Sequence, residues 1–156
     1  MTHPLEHHHG NYLISDDPAR LQVDAIHAYL ARSYWAPDIP RETVERSLKN
    51  SLCIGAYDAA GHQVGLVRLI SDFATFCYLC DVYVLEEHRR HGLAREMMAL
   101  TLRHPRLQGL RRWQLVTKDA HGVYAKYGFK PLAHPEAQME RHDPDIYRRR
   151  TIEGNE

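Results

Sequence analysis

The densest chemistry in this chain lies in residues 86–100, EEHRRHGLAREMMAL. Two acids are followed by Arg89, Arg90 and His91, then Gly92, then a helical pattern. Adjacent like charges repel, so such a run is either left in water or used on an anion. A helix start favours the second use. Its first four N–H groups have no partner within the helix, and the peptide dipoles add about half a positive charge there. Gly92 has no Cβ to hold a ligand off the backbone. Ala94 is small, and Arg89, Arg90 and Arg95 ring the mouth with charge. Together these features suit a pyrophosphate. The G-x-x-x-x-G-K-[ST] loop of nucleotide triphosphatases and the G-x-G-x-x-G turn of dinucleotide sites are both absent.

A second candidate is Asp81, the one carboxylate inside the apolar run YLCDVYVL. Burying a carboxylate is costly unless it is paired or used, and desolvation raises its pKa toward neutrality. Asp81 is therefore either a general base or a structural carboxylate bonded to a turn or to an arginine such as Arg68.

These groups need elements to position them. NYLIS reads as a first strand, and Asp17-Pro18 as N-cap and first residue of a helix running to about Arg32. SYWAPDIP breaks it, and Pro40 opens a second helix with Val44 and Leu48 on one face. LCIGAYD and QVGLVRLIS flank the turn AAGH as a hairpin, and FCYLCDVYVL is the most apolar strand. The helix from Gly92 ends before His104-Pro105. RRWQLVT is a further strand. Asp119 caps a short helix, AHGVYAKY, with Gly128 in its C′ position. FKPL and AQMER are expected to close the sheet as two last strands. The order β-α-α-β-β-β-α-β-α-β-β specifies an α+β (mixed α/β) domain over residues 11–143. Residues 1–10 read as a disordered or tag-like start, and residues 144–156 as a polar tail that frays.

With 156 residues the chain is long enough for one domain with a real core. Lys plus Arg is 20 and Asp plus Glu is 20, so bulk charge gives no affinity for nucleic acid. No apolar run approaches a membrane span, and MTHPLEHHHG lacks the apolar segment of a secretory signal. Three cysteines suit a reducing, cytoplasmic setting. Cys77 and Cys80 form a C-x-x-C within a strand, where residues three apart point to opposite faces. They are expected as small core residues, and no histidine pattern suggests a metal.

Arg89-x-x-Gly92-x-Ala94, placed between the strand DVYVLEEH and a helix, resembles the [QR]-x-x-G-x-[GA] signature of the GCN5-related N-acetyltransferase (GNAT) family. VYAKYGFKPL resembles that family's late [LF]-Y-x-x-x-G-F segment, and the element order matches over residues 11–141. The resemblance implies a splayed, mostly antiparallel sheet and acetyl-CoA as co-substrate. The pyrophosphate would meet backbone amides of Arg90, His91, Gly92, Leu93 and Ala94, with Arg89 and Arg95 nearby. The pantetheine arm would lie beside Val82, Tyr83 and Val84, with the Val82 N–H as oxyanion donor. Tyr124 would protonate the leaving thiolate. Asp119 stands where the family often has an asparagine near the cofactor. The acceptor, a small-molecule or peptide amine, would enter past Tyr34 and Trp35, with Asp72 and Phe73 beside it. The resemblance allows a homodimer. It also allows a non-catalytic module that binds acetyl-CoA as a sensor.

Overall fold

The computed structural model describes residues 3–153. Six strands form one sheet in chain order: β1 (Glu6–His9), β2 (Tyr12–Ser15), β3 (Leu52–Tyr57), β4 (Gln63–Ser71), β5 (Phe76–Val84) and β6 (Arg112–Leu115). Every neighbouring pair is antiparallel except β5 and β6, which are parallel. A parallel pair needs a crossover, and helix α3 (Leu93–Arg103) supplies it. The expected α+β class with a mostly antiparallel sheet is what the chain adopts.

Each face of the sheet is covered. On one face α3 packs Leu93, Met97 and Leu100 against Ile14, Ile54, Val67, Leu69, Cys77 and Leu79. On the other, α1 (Val23–Leu30) and α2 (Arg41–Lys49) pack Ile26, Leu30, Val44 and Leu48 against Cys53, Leu66 and Tyr83. Cys53 and Ile54 enter opposite cores, as period-two alternation requires.

β5 breaks that alternation. Leu79 and Tyr83 are an even number of residues apart, yet Leu79 joins the α3 core and Tyr83 the α1–α2 core. The register explains it: Arg68 pairs with Cys80 and Leu66 with Tyr83, so Asp81 and Val82 together oppose Val67. One extra residue forms a β-bulge, which reverses the facing of everything beyond it. Asp81 adopts φ +50, the left-handed region that aspartate tolerates better than most residues.

Four expectations are corrected. Residues 6–9, expected as part of a disordered or tag-like start, form strand β1, paired to β2 from Glu6↔Ser15 to His9↔Tyr12. The first helix is split: Asp17 caps a short 3₁₀ turn, Pro18–Arg20, before α1 begins. Gln22 and Gln63 interrupt it by exchanging side-chain and backbone bonds, Gln22 N–H to Gln63 Oε1 and Gln63 N–H to Gln22 Oε1, each 2.9 Å. FKPL and AQMER form no strands among the described residues. Pro131 and Pro135 bring no backbone N–H to a ladder, and residues 131–146 lie exposed, with a 3₁₀ turn at Pro135–Ala137. The expected frayed tail instead holds helix α5 (Ile146–Glu153).

Candidate functional site

A cavity of about 460 Å³ opens between the end of β5 and the start of α3. Val82, Tyr83 and Val84 form its floor, and His88, Arg89, Arg90, Gly92, Leu93, Ala94 and Arg95 form one wall. Tyr29 and Trp35 close the other side. The β5–β6 pairing ends at Leu79↔Leu115, so residues 80–84 run on with no strand beside them on that edge. The sheet is thus open where an extended ligand could add to it.

The loop before α3 is shaped for an anion. Arg90 at φ +68 and Gly92 at φ +77 are both left-handed, and alternation of this kind turns successive N–H groups toward one concavity. Among the described residues no acceptor takes the N–H of Gly92, Leu93 or Ala94. The backbone angle of Gly92 favours glycine, whereas a Cβ there would meet only the flexible end of Arg95 at 3.2 Å and His9 Nε2 at 3.4 Å. Arg89 donates from Nε to the Val84 carbonyl at 3.0 Å and from Nη2 to the Tyr29 hydroxyl at 3.4 Å. Its charge is therefore fixed at the cavity wall.

Above the bulge lies a polar knot. Asp81 accepts from Arg68 Nε at 2.7 Å on one carboxylate oxygen and from Trp35 Nε1 at 2.7 Å on the other. Arg68 also donates to Ser51 Oγ at 3.1 Å. Burial works against the Arg68 charge, but the adjacent carboxylate outweighs it and the guanidinium pKa is raised. Trp35 is flanked by Tyr29 and by Tyr34, whose ring meets it edge-on at 5.1 Å between centroids. Tyr29 in turn stacks on Tyr83 at 3.9 Å. The Tyr34 hydroxyl accepts from the Lys118 N–H at 3.3 Å, so this loop spans from α1 to the chain after β6.

Tyr124 lies on α4 (His121–Ala125), half-buried, with its ring 6.0 Å from Phe129. Burial pushes its phenol pKa up, and Tyr34 and Tyr127 add to the shift. It stays protonated at neutral pH.

The fold brings together Val82, Tyr83, Val84, Arg89, Arg90, Gly92, Leu93, Ala94, Arg95 and Trp35 around one cavity. Other expected residues lie elsewhere. The His91 side chain faces the start of β2, with its ring 5.7 Å from Tyr12. Asp72 is committed to the β4–β5 turn: its carboxylate accepts from the N–H groups of Ala74, Thr75 and Phe76 and from the Thr75 hydroxyl, which holds its pKa well below the usual range. Phe73 lies under the Arg106 guanidinium, 3.7 Å from its centroid. Both sit at the start of β5, about 26 Å along the strand from its cavity end at ~3.3 Å per residue, so neither borders the cavity. Asp119 is exposed and caps nothing; Thr117 Oγ1 accepts the Ala120 N–H instead.

Sequence reading missed Tyr29, whose partner Tyr83 is distant in sequence, and His9, whose neighbours imitate an affinity tag. Among the described residues no group of three or more His, Cys, Asp or Glu side chains is placed to hold a metal.

The acetyltransferase (GNAT) domain profile matches residues 49–131. A Gibberella zeae protein named as an acetyltransferase is 40% identical over 148 residues, covering 81% of this chain and 82% of that one. The crystal structure of a GNAT-family protein from Xanthomonas campestris pv. campestris superposes with a TM-score of 0.85 at 47% identity, over 87% of this chain and 96% of that one. A protein of Deinococcus radiodurans R1, also named as an acetyltransferase, shares the fold at a TM-score of 0.66 and 22% identity, over 87% of this chain and 92% of that one.

Proposed function

Because this chain belongs to the GNAT acetyltransferase family, we propose that it moves an acetyl group from acetyl-CoA to a primary amine, by direct attack in a ternary complex. The observation that carries this reading is the set of free amides on Gly92, Leu93 and Ala94, opening onto the same cavity as the unpaired end of β5. A pyrophosphate and an extended amide-bearing arm need those two surfaces side by side. The missing Cβ at Gly92 fits the same ligand.

When bound, acetyl-CoA supplies the thioester, in which a C–N bond to the amine forms as the C–S bond breaks. The chain's own residues do the rest. The amides of residues 90–94 bind the pyrophosphate, assisted by Arg89 and Arg95. The backbone of Val82, Tyr83 and Val84 orients the arm, and the Val82 N–H stabilises charge on the carbonyl oxygen. Tyr124, a phenol protonated at neutral pH, gives its proton to the leaving sulfur. Both oxygens of Asp81 are already held, so its task is to position Trp35 and Arg68, and the amine loses its proton to water. Tyr34 and Trp35 form an aromatic wall suited to an amine or its apolar carrier.

Thermal unfolding with and without acetyl-CoA tests this. Cofactor at about 100 times Kd stabilises by roughly 2.7 kcal/mol, which for a chain of this size is a rise in Tm of about 5–10 °C. Gly92→Glu should remove the rise. A panel of amines scored by CoA release then tests transfer. Binding without release to any amine would leave a non-catalytic acetyl-CoA-binding module. No rise at millimolar cofactor would overturn both readings.

A further inference from the structure

The N-terminal strand reaches the anion loop through two histidines. His9 Nε2 lies 2.7 Å from the His91 carbonyl oxygen. A carbonyl only accepts, so this nitrogen carries the hydrogen. The carbonyl of His91 and the N–H of Gly92 belong to one trans peptide and point in opposite directions. Holding the carbonyl toward β1 therefore turns the Gly92 N–H away from β1, and Gly92 lines the cavity. The imidazole stands 3.4 Å from where a Gly92 Cβ would be, ordinary van der Waals contact.

The same strand restrains an acid that would oppose a bound phosphate. Glu96 lies in the first turn of α3, yet does not border the cavity. His7 Nε2 donates to Glu96 Oε2 at 3.0 Å, and His9 Nδ1 lies 3.6 Å from Oε1. His7 Nδ1 sits 3.2 Å from Arg103 Nη2, a nitrogen that only donates, so the hydrogen of His7 is on Nε2. The Glu96 carboxylate is thus turned toward β1.

We propose that His9 is a positioning residue for the anion site: its Nε2–H fixes the His91–Gly92 peptide so that the helix-start amides face the cavity, while His7 on the same strand holds Glu96 aside. This makes β1 a working part of the site. It rests on the reading of the cavity as an acetyl-CoA site, and two probes separate the ideas.

The test compares the full chain with His9→Leu and His9→Gln, measuring affinity for acetyl-CoA and for inorganic pyrophosphate by titration of the Gly92 amide resonance. Loss of one hydrogen bond and of its loop geometry should weaken both ligands roughly five- to tenfold in His9→Leu. His9→Gln, which keeps an N–H donor, should recover most of the loss. In turnover, KM for acetyl-CoA should rise in His9→Leu with kcat little changed. A merely structural role would lower the Tm of the unliganded protein and leave affinity within twofold in both variants, which overturns the proposal. If the parent chain binds pyrophosphate but not acetyl-CoA, the functional reading fails and the His9 effect on pyrophosphate still decides the inference. If it binds neither, both fall.

Discussion

Asp81 and Arg68 meet at 2.7 Å across the one bulge of the β4–β5 pair, with their side chains only 8% and 16% exposed. The relationship bears on two roles for a lone acid in an apolar strand, general base or structural partner. A general base needs a lone pair that faces the substrate. Here one oxygen takes the Arg68 guanidinium and the other the Trp35 indole N–H. The extra residue in β5 puts Asp81 in position to do both.

Removing this carboxylate should be felt in stability before chemistry. Asp81→Ala leaves Arg68 buried without its partner and should cost about 3–5 kcal/mol. Asp81→Asn keeps an acceptor and tolerates the positive φ, so it should cost less. Urea unfolding measures both. Residual turnover in folded Asp81→Asn is expected; complete inactivity with unchanged stability would make Asp81 the base after all.

Tyr124→Phe isolates the proposed acid. Turnover should fall about a hundredfold, while acetyl-CoA affinity stays at the parent value. Because burial raises the phenol pKa, the acid form persists above the ordinary tyrosine value of about 10. Rates measured with an unprotonated acceptor should therefore show no decline from this group below that pH. A fully active Tyr124→Phe would remove the residue from the reaction.

The thiols give a pH-dependent term in stability. Burial pushes Cys53 and Cys80 up to about 12 and Cys77 up to about 11, from an ordinary 9.0. Between those values the folded chain holds protons that the unfolded chain has released. The stabilising contribution is complete below pH 9 and declines as pH rises through the folded values. Each thiol contributes a slope of at most about 1.4 kcal/mol per pH unit. Melting curves from pH 8 to 10.5 should fall less steeply for Cys53→Ala/Cys80→Ala than for the parent chain; equal slopes would refute the assignment.

Gly55 is required by one neighbour. A Cβ there would stand 2.5 Å from the Tyr57 hydroxyl oxygen and 2.7 Å from Cζ. Tyr57 is 2% exposed, so its ring can yield only by displacing the side chains packed around it. Gly55→Ala should destabilise by about 1–3 kcal/mol. The Tyr57→Leu background should soften that cost, and a denaturation midpoint unchanged by Gly55→Ala would show that the ring yields freely.

What the sequence determined by itself is local. The glycine and small residue after a basic run marked a left-handed turn into a helix start, because that geometry depends on neighbouring residues. Apolar periodicity placed α2, α3 and the strands β3, β4 and β5, since burial on a face repeats with the period of the element. Tertiary structure decided the rest. The bulge at Asp81 depends on register with β4, which no property of FCYLCDVYVL alone sets. Gln22 ended a helix by bonding to Gln63, a partner 41 residues away. Asp72 read as a residue beside the acceptor until the β4–β5 turn took up its oxygens. HHH read as a tag because its meaning lies in His91 and Glu96, which are distant along the chain and adjacent only once the sheet and α3 have packed.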